Sequence, residues 1–433
     1  MGHPGLAAGL ALITRIAVIA SFGRAGASYR AVLREPQFAR LWLAGLISSF
    51  GDTLHYIALV VLVLQLSGQG LAVAGLVAIE VLPVLLLAPV AGVLIDRTSR
   101  TAILIGSDLF RAVLALSLIW PQGVAHAYLV AGGLSIGRVF FDPTHSAVIP
   151  AVTSEGQRLA ANSVSWSTGR LVQILAAAAA GGAIALVGTA PAFGINAASF
   201  SLSAALIATL RIPPHAGQLA GATWRGLGAF FGEARAGLDY ARRDPFVSRL
   251  VIVQSLASFA VGATGAMLIV LSERHLALQP AGFAWLIGAI GFGALLGPLI
   301  PNALAGDHRN AHWLFVPYVV RGAGDILIAI FTPLPAALAI LFVYGLCTST
   351  GMVVFSSTIQ GAISDAYRGR VFTLLDVSWS AMRLLSLALG GLVVDRLGIA
   401  PLYWIGGALL ALSGILGLTL FRDTRFGPTT VTR

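Results

Sequence analysis

The chain has 433 residues, 57% of them hydrophobic and only 10% charged, with a formal net charge of +10 and a mean hydropathy of +0.89. A soluble chain carries about 25% charged residues, so this composition excludes a disordered protein, a nucleic-acid-binding arm and most cytosolic catalysts. All 27 basic residues are arginines that punctuate long apolar runs, which points to a lipid bilayer as partner and not to nucleic acid.

In chain order, residues 1–37 come first as a cytoplasmic N-terminal segment. Its apolar stretch from Leu6 to Phe22 is short and broken by Arg15. A signal peptide carries its charge ahead of the apolar stretch, so this part is read as an amphipathic surface segment or an overlong translation start. Roughly 20 apolar residues cross a hydrocarbon core about 30 Å thick. Twelve runs qualify, at about 39–66, 71–94, 101–120, 125–148, 160–187, 190–210, 247–271, 281–304, 312–332, 335–360, 371–394 and 400–421. The expected fold is an all-α integral membrane protein of twelve transmembrane helices in two six-helix bundles. The bundles cover 38–210 and 247–422, with a cytoplasmic loop at 211–246 and a cytoplasmic tail at 423–433. Nineteen arginines, among them Arg97, Arg158, Arg242 and Arg368, fall in one set of connections, and only Arg274 and Arg396 in the other. That bias predicts both termini in the cytoplasm of a multi-pass protein of the inner (plasma) membrane. The one cysteine, Cys347, excludes an intrachain disulfide and thiolate clusters.

The two halves repeat. Glu35-Pro36, Arg40-Leu41 and Ser49-Phe50 match Asp244-Pro245, Arg249-Leu250 and Ser258-Phe259 at a displacement of 209. Asp96 matches Asp307 at 211, and Val164-Ser165-Trp166-Ser167 matches Val377-Ser378-Trp379-Ser380 at 213. Two bundles related by an axis along the membrane normal form a transporter architecture, with the substrate path between them.

Between the second and third spans runs Gly92-Val93-Leu94-Ile95-Asp96-Arg97-Thr98-Ser99-Arg100. With it the chain resembles the major facilitator superfamily over residues 30–422, because this run is similar to the family's cytoplasmic signature. Ser99 stands where that signature has its turn glycine, and Thr101 where it has its last basic residue. The resemblance implies a gating motif of Gly92, Asp96, Arg97 and Arg100, with Asp307 as counterpart in the second half. In it Gly92 lets two helices approach and Asp96 latches the cytoplasmic side. Phe141-Asp142-Pro143 and Asp365 with Arg368-Gly369-Arg370-Val371-Phe372 resemble the drug- and macrolide-efflux branch, which includes siderophore exporters. The glycine-proline pair that proton antiporters often carry in span 5 is missing. Ala176 to Ala180 and Gly181-Gly182 stand there instead.

A charge at the bilayer centre costs about 2.5–3.5 kcal/mol on insertion scales, so each needs a partner or a wet cavity. Asp52 lies near the middle of span 1, and His55, one turn on, is expected on the same face. The pair suits a proton acceptor or an anchor for a cationic substrate; a structural ion pair is the alternative. Arg138 is similar to the family's span-4 arginine, implicated in proton coupling. It is expected to hold Asp52 or Asp142, with a cytoplasmic anchor as the alternative. Asp108 with Arg111, and Arg321 with Asp325, can each close within their own helix as neutralising pairs or contact substrate. Glu80 and Asp376 are single acids, and Arg170 and Arg383 are expected to snorkel just inside the cytoplasmic boundary. Phe50, Tyr56, Trp166, Phe259, Trp285, Phe355 and Trp379 are candidates for an apolar cavity wall, with lipid-facing packing as the commoner alternative. No nucleotide loop ending in Lys-Ser or Lys-Thr exists in a lysine-free chain, and no metal-spaced His or acid cluster is found. The expected function is therefore not enzymatic. It is proton-driven efflux of a small amphiphilic drug-, macrolide- or siderophore-like compound by a monomer without cofactors. An importer or facilitator for a metabolite or lysolipid, or a scaffold that has lost transport, are the alternatives.

Overall fold

The computed structural model describes residues 29–212, 232, 235, 238–278, 280–298, 311–363 and 365–422. These residues are helical and contain no strand. The long helices are α1 (Pro36–Ser67), α2 (Gly70–Arg97), α3 (Arg100–Ser117), α4 (Val124–Val148), α5 (Arg158–Val187), α6 (Ala190–Ala208), α7 (Pro245–Ala266), α8 (Pro280–Leu296), α9 (Ala311–Ile328), α10 (Leu334–Ala362), α11 (Asp365–Leu397) and α12 (Ile399–Leu420). Eight of them, α1, α2, α4, α6, α7, α10, α11 and α12, contain stretches long and apolar enough to cross a bilayer. In α3 and α9 internal charges interrupt the apolar run: Arg100, Asp108 and Arg111 in one, Arg321 and Asp325 in the other.

The repeat seen in the sequence reappears in the packing. In the first half α1 lies on α5 and α6, α3 on α4 and α6, and α2 on α4. In the second half α7 lies on α11 and α12, α9 on α10 and α12, and α8 on α10, the same pairings shifted by six helices. The halves meet along α2 with α11 and along α5 with α8, two seams that exchange under the same shift.

The two ends of the assembly differ. At the end bearing the α1–α2 turn, one buried apolar cluster joins both halves and includes Ile57, Val61, Leu76, Met267, Val270 and Leu387. Residues 57–64 of α1 are buried on every face, as happens to a helix that is apolar all round. Gly68 ends α1 in the left-handed region (φ 61°), its N–H donating to Leu64 O. The Asp395 carboxylate of α11 then accepts from the N–H groups of Gly70 (2.8 Å) and Leu71 (3.1 Å). A side chain of one half thus satisfies orphan donors at a helix N-terminus of the other. Arg274 adds a hydrogen bond to Gly68 O. At the opposite end the buried clusters stay within one half, around Phe38 and Phe141 in the first and around Phe315 and Phe421 in the second. Among the described residues, a buried apolar cluster joins the halves at one end and none does so at the other.

The seal is testable. Hydrogen bonds to a charged acceptor are worth about 1.5–3 kcal/mol each. In a Cys347→Ser, Val61→Cys background, Asp395→Ala is expected to raise maleimide labelling at position 61 about tenfold or more. Position 61 is fully buried in the seal. An unchanged labelling rate would show that the apolar cluster alone holds this end shut.

Candidate functional site

Between the halves lies a cavity of about 1020 Å³, lined by α1, α2, α4, α5, α8, α10 and α11. Its roof is the sealed stretch of α1 that begins one residue beyond Tyr56. Asp52, Glu80, Arg138 and Asp142 stand on the first half's wall, and Asp376 and Arg383 on the second's.

Asp52 is the centre of the first wall. Its Oδ2 lies 3.6 Å from Arg111 Nη1 and 3.6 Å from Arg138 Nη2. Arg111 is fully buried, and its Nη2 donates to Asp108 Oδ1 at 2.6 Å. The guanidinium sits over the rings of Phe141 (4.4 Å) and Phe200 (4.3 Å), a cation–π arrangement that replaces water around a desolvated charge. Small residues make the room. A Cβ at Gly137 would lie 2.6 Å from Arg111 Cγ, and one at Gly51 would collide with Asn196 and Ser199 of α6. Gly51 precedes Asp52 and Gly137 precedes Arg138, so each charged residue follows a point of close helix approach. Arg138, in contrast to Arg111, is half exposed to the cavity. Next to it a second hollow of about 200 Å³ runs between α1, α4 and α5, reaching Asp52, Asp142 and His145.

Several expectations meet the structure. Arg138 does hold Asp52, and Asp108 does close on Arg111 within α3. Arg321 does not close on Asp325. Its Nη2 donates to the Tyr344 hydroxyl at 2.8 Å and its guanidinium lies 4.4 Å above that ring. The spacing allowed the intrahelical pair, but α10 presents a competing acceptor. Asp325 turns to α12, with its Cβ close to Gly407, and Oδ2 has no hydrogen-bond partner. His55 does not share the cavity face. It is buried with its ring edge-on to Phe193 at 5.0 Å, and both ring nitrogens lack partners. It lies three positions beyond Asp52, enough rotation to turn it from the wall into the α1–α6 contact.

Arg383 is not at a boundary. It lies near the middle of α11, on the cavity wall. The signal was present in the sequence, since the predicted span 371–394 already placed it centrally. Of the aromatic candidates, Tyr56 and Trp379 line the cavity, whereas Trp285 is 56% exposed on the outer surface. Phe50, Phe259 and Phe355 are not on the wall, and the Trp166 side chain is outside the described residues. Of the gating motif, Gly92 is exposed and a Cβ there would meet nothing within 4 Å. Arg100 donates to Ala147 O at 3.0 Å, tying α3 to the end of α4. Asp96 and Arg97 lie in the last turn of α2; their side chains, and the whole of Asp307, are outside the described residues.

A family model described as "transmembrane secretion effector", a major facilitator group, matches residues 27–424. The chain belongs to the major facilitator superfamily. This transporter is similar to the uncharacterized MFS-type transporter YfiS of Bacillus subtilis strain 168, 26% identical over 385 residues that cover 86% of this chain and 90% of the relative. It is also similar to macrolide efflux protein A of Streptococcus pyogenes (23% identical; 86% and 93% covered) and to the multidrug efflux pump Tap of Mycolicibacterium fortuitum (25%; 88% and 94%). The solved nucleoside transporter NupG superposes with a TM-score of 0.71 at 15% identity, over 89% of this chain and 99% of that one. That likeness concerns the fold.

Proposed function

We propose that this transporter exports a small amphiphilic compound in exchange for protons, by alternating access of the cavity between the halves. The reading rests on Asp52, a carboxylate on the cavity wall shared by a buried arginine and a cavity-facing one. Such a group can exchange its ion pair for a proton, and its release frees Arg138 toward the cavity. The relatives named as macrolide and multidrug efflux proteins support the direction of transport. The wall's apolar share, with Ile287, Ile290, Met352 and Trp379, suits ligands held mainly by apolar contact.

The same reading gives twelve spans in the inner membrane with both termini in the cytoplasm, so that the end opposite the Asp395 seal opens inward and the seal faces outward. Reporter fusions at Gly68 and Gly123 are expected to read external and one at Gly217 cytoplasmic; an external reading at Gly217 overturns the topology. For transport, a panel of amphiphilic compounds is followed in cells with and without the protein. Lower accumulation that returns to control when the proton gradient is dissipated is the expected result. Raised accumulation would mean import, and no change for any compound would favour a scaffold.

A further inference from the structure

Among the described arginines within the spans, three are held by side chains of the protein itself. Arg111 is held by Asp108, Asp52 and two aromatic rings, Arg138 by Asp52, and Arg321 by Tyr344. Arg383 is the exception. It makes no hydrogen bond or ion pair among the described residues, although it stands near mid-helix on the cavity wall. On the opposite half, the Glu80 side chain also lines the cavity without an ion pair or hydrogen bond. Its helix is pinned there, because Ser135 Oγ donates to the Glu80 backbone oxygen at 2.6 Å. Glu80 lies in the field of Arg138 first and of Arg383 second, yet no ion pair within 4 Å joins it to either.

Glu80 and Arg383 thus face one cavity from opposite halves, each without an ion pair within 4 Å, as are Asp142 and Asp376 on the same walls, while the neighbouring Asp52 is already shared by two arginines. A guanidinium presents five donors in a planar fork that suits a carboxylate or phosphate, and a carboxylate accepts from an ammonium or amidinium. A purely cationic ligand would leave Arg383 uncompensated inside the membrane, and a purely anionic one would leave Glu80 so. A ligand bearing both charges satisfies both, and it bridges the halves that must close around it.

We infer that the cavity is built for an amphoteric small molecule, with its anionic group on Arg383, its cationic group on Glu80 and its apolar body against Tyr56 and Trp379. This rests on the transporter reading only in taking the cavity as the substrate site. Neither the direction of transport nor proton coupling enters.

The test uses two dyes of one skeleton, rhodamine 110 with a free carboxylate and rhodamine 123, its methyl ester, bound to the purified full chain in lipid nanodiscs and followed by fluorescence anisotropy. The wild type is expected to bind rhodamine 110 about tenfold or more tightly than rhodamine 123. Arg383→Gln is expected to erase that preference by weakening rhodamine 110 alone, and Arg383→Lys to keep part of it, which separates charge from folding. Glu80→Gln is expected to weaken both dyes. A wild type that binds no rhodamine 110 or shows no preference, or an Arg383→Gln protein that keeps the preference, overturns the inference. Binding is read without a gradient, so failure of proton-driven export would leave this result standing, and the converse.

Discussion

Replacing Asp52 by asparagine is expected to abolish gradient-driven export, by about 100-fold or more in rate, while binding of a neutral compound changes by less than about threefold. The geometry makes this a functional loss more than a folding one. When the carboxylate is removed, Arg111 keeps its 2.6 Å partner Asp108 and its two rings. Arg138 is 49% exposed and can be solvated from the cavity. Neither cation is left buried and unpaired, the condition that makes breaking an ion pair cost about 3–5 kcal/mol. What the asparagine cannot do is exchange an ion pair for a proton and back. The measurement is transport in proteoliposomes under an imposed pH gradient, with protein shown to be inserted and monodisperse. Full export by Asp52→Asn would remove it as the coupling residue, and loss of folded protein would make its role structural.

The second large effect is on the fold. Helices α8 and α10 cross with their backbones almost touching, because glycines stand on both sides of the crossing. A Cβ at Gly345 would overlap the Ile290 carbonyl oxygen, and one at Gly293 would overlap the Phe342 carbonyl oxygen. Small residues at such crossings are what lets membrane helices approach and gain dispersion energy where no hydrophobic effect is available. The obstacles here are backbone atoms, which cannot rotate aside as a side chain can. Overpacking costs typically 1–3 kcal/mol, and Gly345→Val is expected to cost about 3 kcal/mol or more. It should lower the temperature at which the monodisperse peak is lost in size-exclusion chromatography by about 3 °C or more. Gly106→Val is the control, since a Cβ there meets nothing within 4 Å. Equal stability of the two variants would mean that the crossing is not tight. Because Ile290, Gly291, Thr348 and Ser349 line the cavity, a partly folded Gly345 variant should also lose ligand binding.

Part of the site is legible in the amino-acid sequence. Asp52 and Arg138 stand out because a charge inside an apolar run needs a partner, and the fold joins them. Asp108 and Arg111 can be paired because three residues on a helix bring two side chains to one face. The same rule misleads for Arg321 and Asp325, since it says that two groups can meet and not that they do so when Tyr344 is nearer. It also misleads for His55, where one turn of helix is too coarse to separate the cavity from the α1–α6 contact.

By itself the sequence determined that this is a multi-pass helical membrane protein, where its halves divide, and that they repeat. Those properties follow from hydropathy, arginine placement and internal similarity, which are written locally along the chain. The tertiary structure alone decided which face of each helix meets lipid, seam or cavity. Along a helix that is apolar nearly all round, no periodicity marks one side, so direction is set by neighbours hundreds of residues away. That is why the capping of Gly70 and Leu71 by Asp395, 325 and 324 positions distant, arises only from the packing of one half on the other. It is also why Glu80 and Arg383, unremarkable as single charges in separate spans, emerge as facing each other across one cavity.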